Sequence, residues 1–255
     1  MIRTAVVTGA GRGLGLAIAE RLEAVGYRVV RTDISGADVS LDVRDSAACR
    51  HFARSVDPDV WINNAGVLGA GDAATQDDEV IDSVVSVNLK GVINGTRAAV
   101  EVMRQRDAGR GRGHVVNVGS LASWVPVPGE AVYAATKAGV LSYTLALDAE
   151  LRAQGVDGIH FTVVCPDGML TPMLTEIIDD PAIAMSFTGL RPVEPDEVAV
   201  AVVKALRRPR RVVSVPKWRG AQVRAIGVIP DVMLRAAPIF DRIGRAQQRR
   251  VSGAD

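Results

Sequence analysis

The chain has 255 residues, 48% of them apolar, which is enough for one large domain with a substantial core. Its 30 Lys and Arg against 29 Asp and Glu leave a formal charge of +1, so neither the charge balance nor any recognised motif points to nucleic acid. Two cysteines far apart in sequence, Cys49 and Cys165, argue against a disulfide framework; with no signal-peptide pattern at the start and no apolar run of the about 20 residues that span a bilayer, the expected location is the cytoplasm.

Residues 2–8 are a β-branched run that ends in a glycine cluster, and residues 14–25 then carry helical periodicity, with Leu14, Ile18, Leu22 and Val25 on one side. Residues 27–32 are a second apolar run, ending at Asp33. This order of strand, glycine turn, helix and strand predicts a parallel α/β unit. Residues 34–42 are too few for a full helix and a strand, so one crossover helix is expected to be missing or vestigial. Helical patterns follow at 46–55, 78–106 and 131–153, alternating with strands at 60–62, 114–118 and 159–165 and a flexible basic turn at 109–113. A short helix at 196–206 and a last strand at 212–215 complete the pattern. The alternation predicts a doubly wound parallel sheet with helices on both faces and ligands at the strand C-termini.

The first turn reads Thr8-Gly9-Ala10-Gly11-Arg12-Gly13-Leu14-Gly15. Its glycines let the backbone turn tightly and approach a pyrophosphate, which the free N–H groups of a helix N-terminus would hold. The spacing is T-G-x-x-x-G-x-G, not G-x-G-x-x-G, and no Lys-Ser/Thr pair follows, which excludes a P-loop. Taken alone, the loop also fits a plain strand-to-helix turn. Asp33, at the end of the second strand, can accept hydrogen bonds from an adenosine ribose and would repel a 2′-phosphate. Arg12 and Arg31 point the other way, but a carboxylate against a dianion costs more than an unpaired surface Arg, so the expected cofactor is NAD.

Tyr133 and Lys137 stand four apart in a helical run, hence on one face. A neighbouring ammonium and an oxidised nicotinamide would both favour the phenolate, making Tyr133 a candidate proton acceptor. By itself this pair is common on amphipathic helices.

Taken in order, the T-G-x-x-x-G-x-G loop, Asn63-Asn64-Ala65-Gly66, Val87-Asn88-Leu89, Ser120 and Tyr133-x-x-x-Lys137 make residues 1–215 resemble the classical short-chain dehydrogenase/reductase family. The resemblance implies a Rossmann-type dinucleotide-binding catalytic domain over 1–215, with 216–255 as a C-terminal extension. It implies that Tyr133 is the general acid/base, that Ser120 polarises the substrate oxygen, and that Lys137 binds the nicotinamide ribose and tunes Tyr133. Asn88 would hold a relay water. Gly9, Gly11, Arg12, Gly13, Leu14 and Gly15 would form the pyrophosphate turn. Asn64, Ala65 and Gly66 would line the adenosine side with Asp33, and Asp42-Val43 resembles the adenine contact. Pro166, Met169 and Thr171 would flank the nicotinamide, with Thr171 on its carboxamide. No metal is expected. Each position also has a plainer use: Asn88 satisfying backbone groups at a kink, Ser120 capping a turn, Thr171 capping a helix that begins at Pro172.

The chain departs from the family at Pro166-Asp167, where Gly is usual in the second place, and the shortened 34–42 stretch weakens the adenine assignment. Segments 120–130 and 169–191, the expected lid, contribute Trp124, Val125, Val127, Met169, Met173, Leu174, Ile177, Met185 and Phe187. This collection is mostly apolar, which predicts a bulky hydrophobic alcohol or ketone, such as a steroid, terpenoid or lipid-like compound. Packing of the lid on the core accounts equally well for half of it. The extension mixes Arg with apolar residues, which suits a cap over the cleft, an interface between copies or a membrane surface. The long helices at 78–106 and 131–153 resemble the family's association pair, so a homodimer or homotetramer is expected. The rival readings are an NADP-dependent reductase and a cofactor-binding sensor without catalysis.

Overall fold

Short runs of Val, Ile and Thr bury side chains on both faces, as parallel strands covered by helices must. A computed structural model describes residues 2–253. Its strands are β1 (Thr4–Thr8), β2 (Arg28–Asp33), β3 (Val39–Ser40), β4 (Val60–Asn63), β5 (Gly113–Val118), β6 (Ile159–Pro166) and β7 (Val212–Val215). They form one sheet in the order β3-β2-β1-β4-β5-β6-β7, with every neighbouring pair parallel. The two-residue alternation of a strand divides the core. Ala5, Val7, Val60, Ile62 and Val116 face α1 (Gly13–Ala24) and α7 (Pro195–Arg207), where Ile18 and Leu22 meet Val198 and Val202. Val6, Trp61 and Val115 face α2 (Ser46–Val56), α4 (Val92–Met103) and α5 (Ala131–Ala153), which supply Cys49, Ala99, Met103 and Leu151. Strand order reverses between β1 and β4, so the loops after these two strands diverge and leave a crevice.

Three expectations meet different outcomes. No helix lies between β2 and β3, as the short stretch required. Val25 is exposed, because α1 ends one residue earlier and Gly26 turns the chain at φ +91°. The expected helix at 78–106 is divided: α3 (Asp78–Val85) runs through a π turn at Ser86–Gly91 into α4. Asn88 is hooked in that wide turn, its Nδ2 donating to the Val67 carbonyl at 2.8 Å and its Oδ1 accepting from the Val67 N–H at 2.8 Å. The extra residue slips the apolar register by one position, a shift that the closely spaced Val84, Val85, Val87 and Leu89 conceal in the sequence. Such π turns are found disproportionately at functional sites.

The extension is folded. Helix α8 (Lys217–Gly227) packs on β7, so closely that a Cβ on Gly220 would lie 2.1 Å from the Ser214 Cβ. Helix α9 (Pro230–Ser252) lies on the lid, where Gln248 Nε2 donates to the carbonyls of Ile178 at 2.6 Å and Asp180 at 2.8 Å. Among the described residues no helix is long and apolar enough to cross a membrane.

One buried group ties stability to acid. His114 on β5 bonds the Thr162 hydroxyl through Nε2 at 2.9 Å, and that hydroxyl donates to the Arg210 carbonyl at 2.7 Å, so Nε2 is the donor and the ring is neutral. Burial, helped by the nearby His160, pushes its pKa down from 6.5 to about 3. A base whose folded pKa is depressed contributes stability above its unfolded value, and that contribution is lost as pH falls from 6.5 toward 3. Urea midpoints should therefore drop more between pH 7 and pH 5 in the parent than in His114→Gln. Equal drops in the two proteins would rule His114 out as the acid-sensitive group.

Candidate active site

Chain direction after β5 assembles the proton-handling groups. Ser120 caps a short turn, its Oγ accepting from the Ala122 N–H at 3.1 Å, and so faces the crevice at the strand end. Helix α5 starts at Ala131 and places Tyr133 and Lys137 one turn apart on its inner side. Lys137 is buried; its Nζ donates to the Val118 carbonyl at 2.9 Å and lies 5.4 Å from the centroid of the Tyr133 ring. Ser120 and Tyr133 line one cavity together with Pro166, Met169 and Thr171.

Without a cofactor, burial raises the Tyr133 pKa, the nearby Glu130 charge raises it further, and the Ser120 hydroxyl beside it pulls it down. Lys137 is itself pushed down to about 8 by burial. The expected preference for the phenolate rests on the ammonium together with an oxidised nicotinamide.

The turn after β1 is shaped to receive a phosphate. Gly9 and Gly13 take φ of +65° and +57°, and a Cβ on Gly15 would lie 2.1 Å from the Gly9 carbonyl oxygen. No side chain caps α1, so its first N–H groups are free to bind an anion. Leu14 contributes through this backbone only, since its side chain is in the core. Asn64 straps the loop after β4 to the glycine turn, Nδ2 donating to the Thr8 and Gly9 carbonyls at 3.0 Å. The Thr8 hydroxyl accepts from the Ala65 N–H at 3.2 Å, and Gly66 follows beside Asn88, whose Oδ1 a Cβ there would meet at 3.2 Å. The Asp33 carboxylate closes the far side, accepting from the Gly11 N–H at 3.0 Å and the Ile34 N–H at 2.7 Å. Arg12 is paired with Glu176, and Arg31 with Glu23 at 2.7 Å. These features fit a dinucleotide.

Two expected contacts are engaged elsewhere. The Asp42 carboxylate is held by Arg44 at 2.6 Å, which lowers its pKa, but stays partly exposed with further acceptor sites, and the Val43 side chain is buried beneath Gly91. The Asn88 amide uses one donor and one acceptor site on Val67, which leaves a second of each. Thr171 stands at the N-cap of the short helix α6 (Pro172–Thr175), yet its side chain makes no capping bond and it lines the cavity.

The lid and the extension enclose the cavity. Val125, Val127, Met169, Met173, Leu174 and Met185 line it, whereas Trp124, Ile177 and Phe187 do not. Phe187 is buried with Leu174 and Ile183, and Ile177 packs beside them. Trp124 turns away from the cavity and packs beside Leu121, Leu141 and Cys165, with the Arg224 guanidinium 5.0 Å from its ring centroid. Nearness to Ser120 in sequence does not fix direction at a turn. From the extension come Val223, Ile226, Met233 and Phe240, whose direction local residue spacing does not encode. The lid turn Pro181–Phe187 is gripped by glycines on three sides. A Cβ on Gly129, Gly168 or Gly244 would lie 2.1, 1.9 or 2.0 Å from the carbonyl oxygens of Ala182, Ser186 and Ala184 respectively.

Two polar groups in this wall went unforeseen as pairs. Asp167 meets Arg219 of α8 at 3.2 Å, both nearly buried, and Arg219 also donates to Thr188 Oγ1 at 2.7 Å and Gln222 Oε1 at 2.8 Å. The acid that replaces the usual glycine thus anchors the extension. Glu130 accepts from the Ser186 hydroxyl at 2.6 Å.

The profile of the short chain dehydrogenase family matches residues 3–182. The chain belongs to the short-chain dehydrogenase family. A 3beta-hydroxysteroid dehydrogenase of Eggerthella lenta is 32% identical to this dehydrogenase over 78% of the chain and 84% of the relative. The "Probable oxidoreductase EphD" of Mycobacterium tuberculosis is 31% identical over 91% of the chain, which spans only 44% of that relative's length. Among solved structures, a variant of actinorhodin polyketide ketoreductase with NADPH superposes on the dehydrogenase with a TM-score of 0.72 and 30% identity, covering 84% of this chain and 95% of that one.

Proposed function

We propose that this short-chain dehydrogenase interconverts a secondary alcohol and its ketone with NAD(H), on a hydrophobic substrate, with Tyr133 as general acid/base. The observation that carries the reading is the pairing of Ser120 and Tyr133 on the wall of one largely apolar cavity, with Lys137 buried behind the phenol. Ser120 hydrogen-bonds the substrate oxygen and orients it. Tyr133 exchanges a proton with that oxygen. Lys137 holds the nicotinamide ribose and, as an ammonium close to the ring, opposes the upward pull of burial on the phenol. The Asn88 side chain fixes the loop after β4, which leaves its main-chain carbonyl for a relay water. The bound nicotinamide supplies the hydride acceptor or donor. The hydroxysteroid and ketoreductase relatives support chemistry at hydroxyl and keto carbons.

NAD is favoured by charge. The Asp33 carboxylate at the end of β2, against the glycine turn, would repel a 2′-phosphate, and both nearby cations, Arg12 and Arg31, already have acidic partners. The NADPH of the ketoreductase neighbour is the specific ground for the opposite reading. The two are separated by measuring kcat/KM with each cofactor over a homologous series of secondary alcohols. The parent should prefer NAD, and Asp33→Ser should reduce that preference by about tenfold, roughly the 1.4 kcal/mol of one charge repulsion near a surface. A parent that prefers NADP would overturn the assignment of Asp33.

A further inference from the structure

Glu130 is 3% exposed and has no basic partner within ion-pair distance among the described residues. It occupies the N-cap position of α5, where an acid ordinarily accepts from the first free N–H groups, yet its side chain makes no capping bond. It turns into the cavity. Oε1 accepts from Ser186 Oγ of the lid at 2.6 Å, and Oε2 has no hydrogen-bond partner among the described residues. Nor is Oε2 sealed away without one: among the described residues only the Trp124 indole N–H is in that state. The opening is the cavity that Glu130 shares with Tyr133, three residues further along the same helix. A buried carboxyl oxygen open only to a binding chamber lacks a partner that the ligand can supply.

We infer that Glu130 is a substrate-recognition residue that accepts a hydrogen bond from a hydroxyl group a few bonds from the reacting carbon, so that the preferred substrate is a hydrophobic hydroxy-ketone or the matching diol. This rests on the alcohol–ketone reading given above. The donor is a neutral hydroxyl and not an ammonium, because Arg219 lines the same chamber and opposes a second cation. A substrate carboxylate is disfavoured by Glu130 itself. Glu130 and Tyr133 line one chamber closely enough for the Glu130 charge to act on the phenol, which puts the second hydroxyl near the first oxygen and not at the far end of a long substrate. Burial raises the Glu130 carboxyl to about 7, so at neutral pH it also has a protonated form that can donate to a ketone of the same placement.

The probes are methyl octyl ketone and its analogues hydroxylated α, β or γ to the carbonyl, assayed with NADH. At least one hydroxy-ketone should exceed the parent ketone in kcat/KM by about 100-fold, the upper end of the cost of leaving one buried acceptor unpaired. Glu130→Ala should abolish this ratio. Ser186→Ala, which removes the lid bond but keeps the carboxyl, should preserve it. Calorimetric binding in the Tyr133→Phe background should show the same preference without turnover, so failure of the reaction assignment is seen separately from failure of Glu130 recognition. A flat ratio across the analogues in the parent, or no binding preference in the calorimeter, overturns the inference. So does an equal loss of the ratio in Glu130→Ala and Ser186→Ala, which is the behaviour of a lid latch alone.

Discussion

Tyr133→Phe should lose about 10³-fold in turnover while binding nicotinamide cofactor close to normally. The phenyl ring keeps the packing, and the cofactor cradle of the glycine turn, Asn64 and Asp33 lies on other elements. What is removed is the one hydroxyl on this wall that sits with Ser120 beside it and Lys137 behind it. Ser120 cannot replace it, because an aliphatic hydroxyl is a much weaker acid than a phenol and its O–H is directed to the substrate oxygen. The measurement is steady-state kinetics alongside fluorescence titration of the cofactor. Turnover within tenfold of the parent would remove Tyr133 from the mechanism.

Arg219→Met should destabilise the fold by about 3 kcal/mol, the low end of the range for removing one partner of a buried ion pair. The low end applies because the Arg219 and Asp167 side chains keep 10% and 13% of their exposure. The variant leaves Asp167 inside with its own Gly168 N–H as remaining partner, and strands Thr188 and Gln222 as well. Burial already raises the Asp167 pKa against the pull of Arg219. Without Arg219 it rises further. An acid with a raised folded pKa gives up stability as pH climbs through that value, so the deficit should be larger at pH 8 than at pH 5. Urea midpoints at the two pH values, for the single variant and for Asp167→Leu with Arg219→Met, test this. A loss under about 1 kcal/mol would mean that the pair anchors nothing.

Much of this architecture could be read from residue order. β-branched runs alternating with amphipathic stretches gave the parallel sheet, because buried strands and one-sided helices leave different periods in sequence. Tyr133 and Lys137 were legible together because one helix fixes their relative direction. Trp124 was not, since a turn carries no such rule and the ring went to another apolar cluster beneath Arg224. The π turn at Asn88 was hidden because its one-position slip falls among closely spaced apolar residues. Asp42 and Val43 could be counted but not aimed: Arg44 and the bare surface of Gly91 decided where they went. The part of α8 and α9 in the chamber was invisible for another reason. Their lining residues, Val223, Ile226, Met233 and Phe240, touch the site only through long-range packing, and local spacing does not encode which surface a terminal helix will cover.

The grip of Gly129, Gly168 and Gly244 on alternate carbonyls of the lid has a mechanical consequence. A segment held by its backbone at every second residue cannot flap like a loop with free ends. Residues 181–187 behave as a plate riveted to α9 on one side and to the strand ends on the other. Ligand exchange then requires the plate and α9 to swing together, a collective step of the microsecond-to-millisecond class and not a fast local one. The entrance to the chamber is therefore a door whose weight is the whole C-terminal helix.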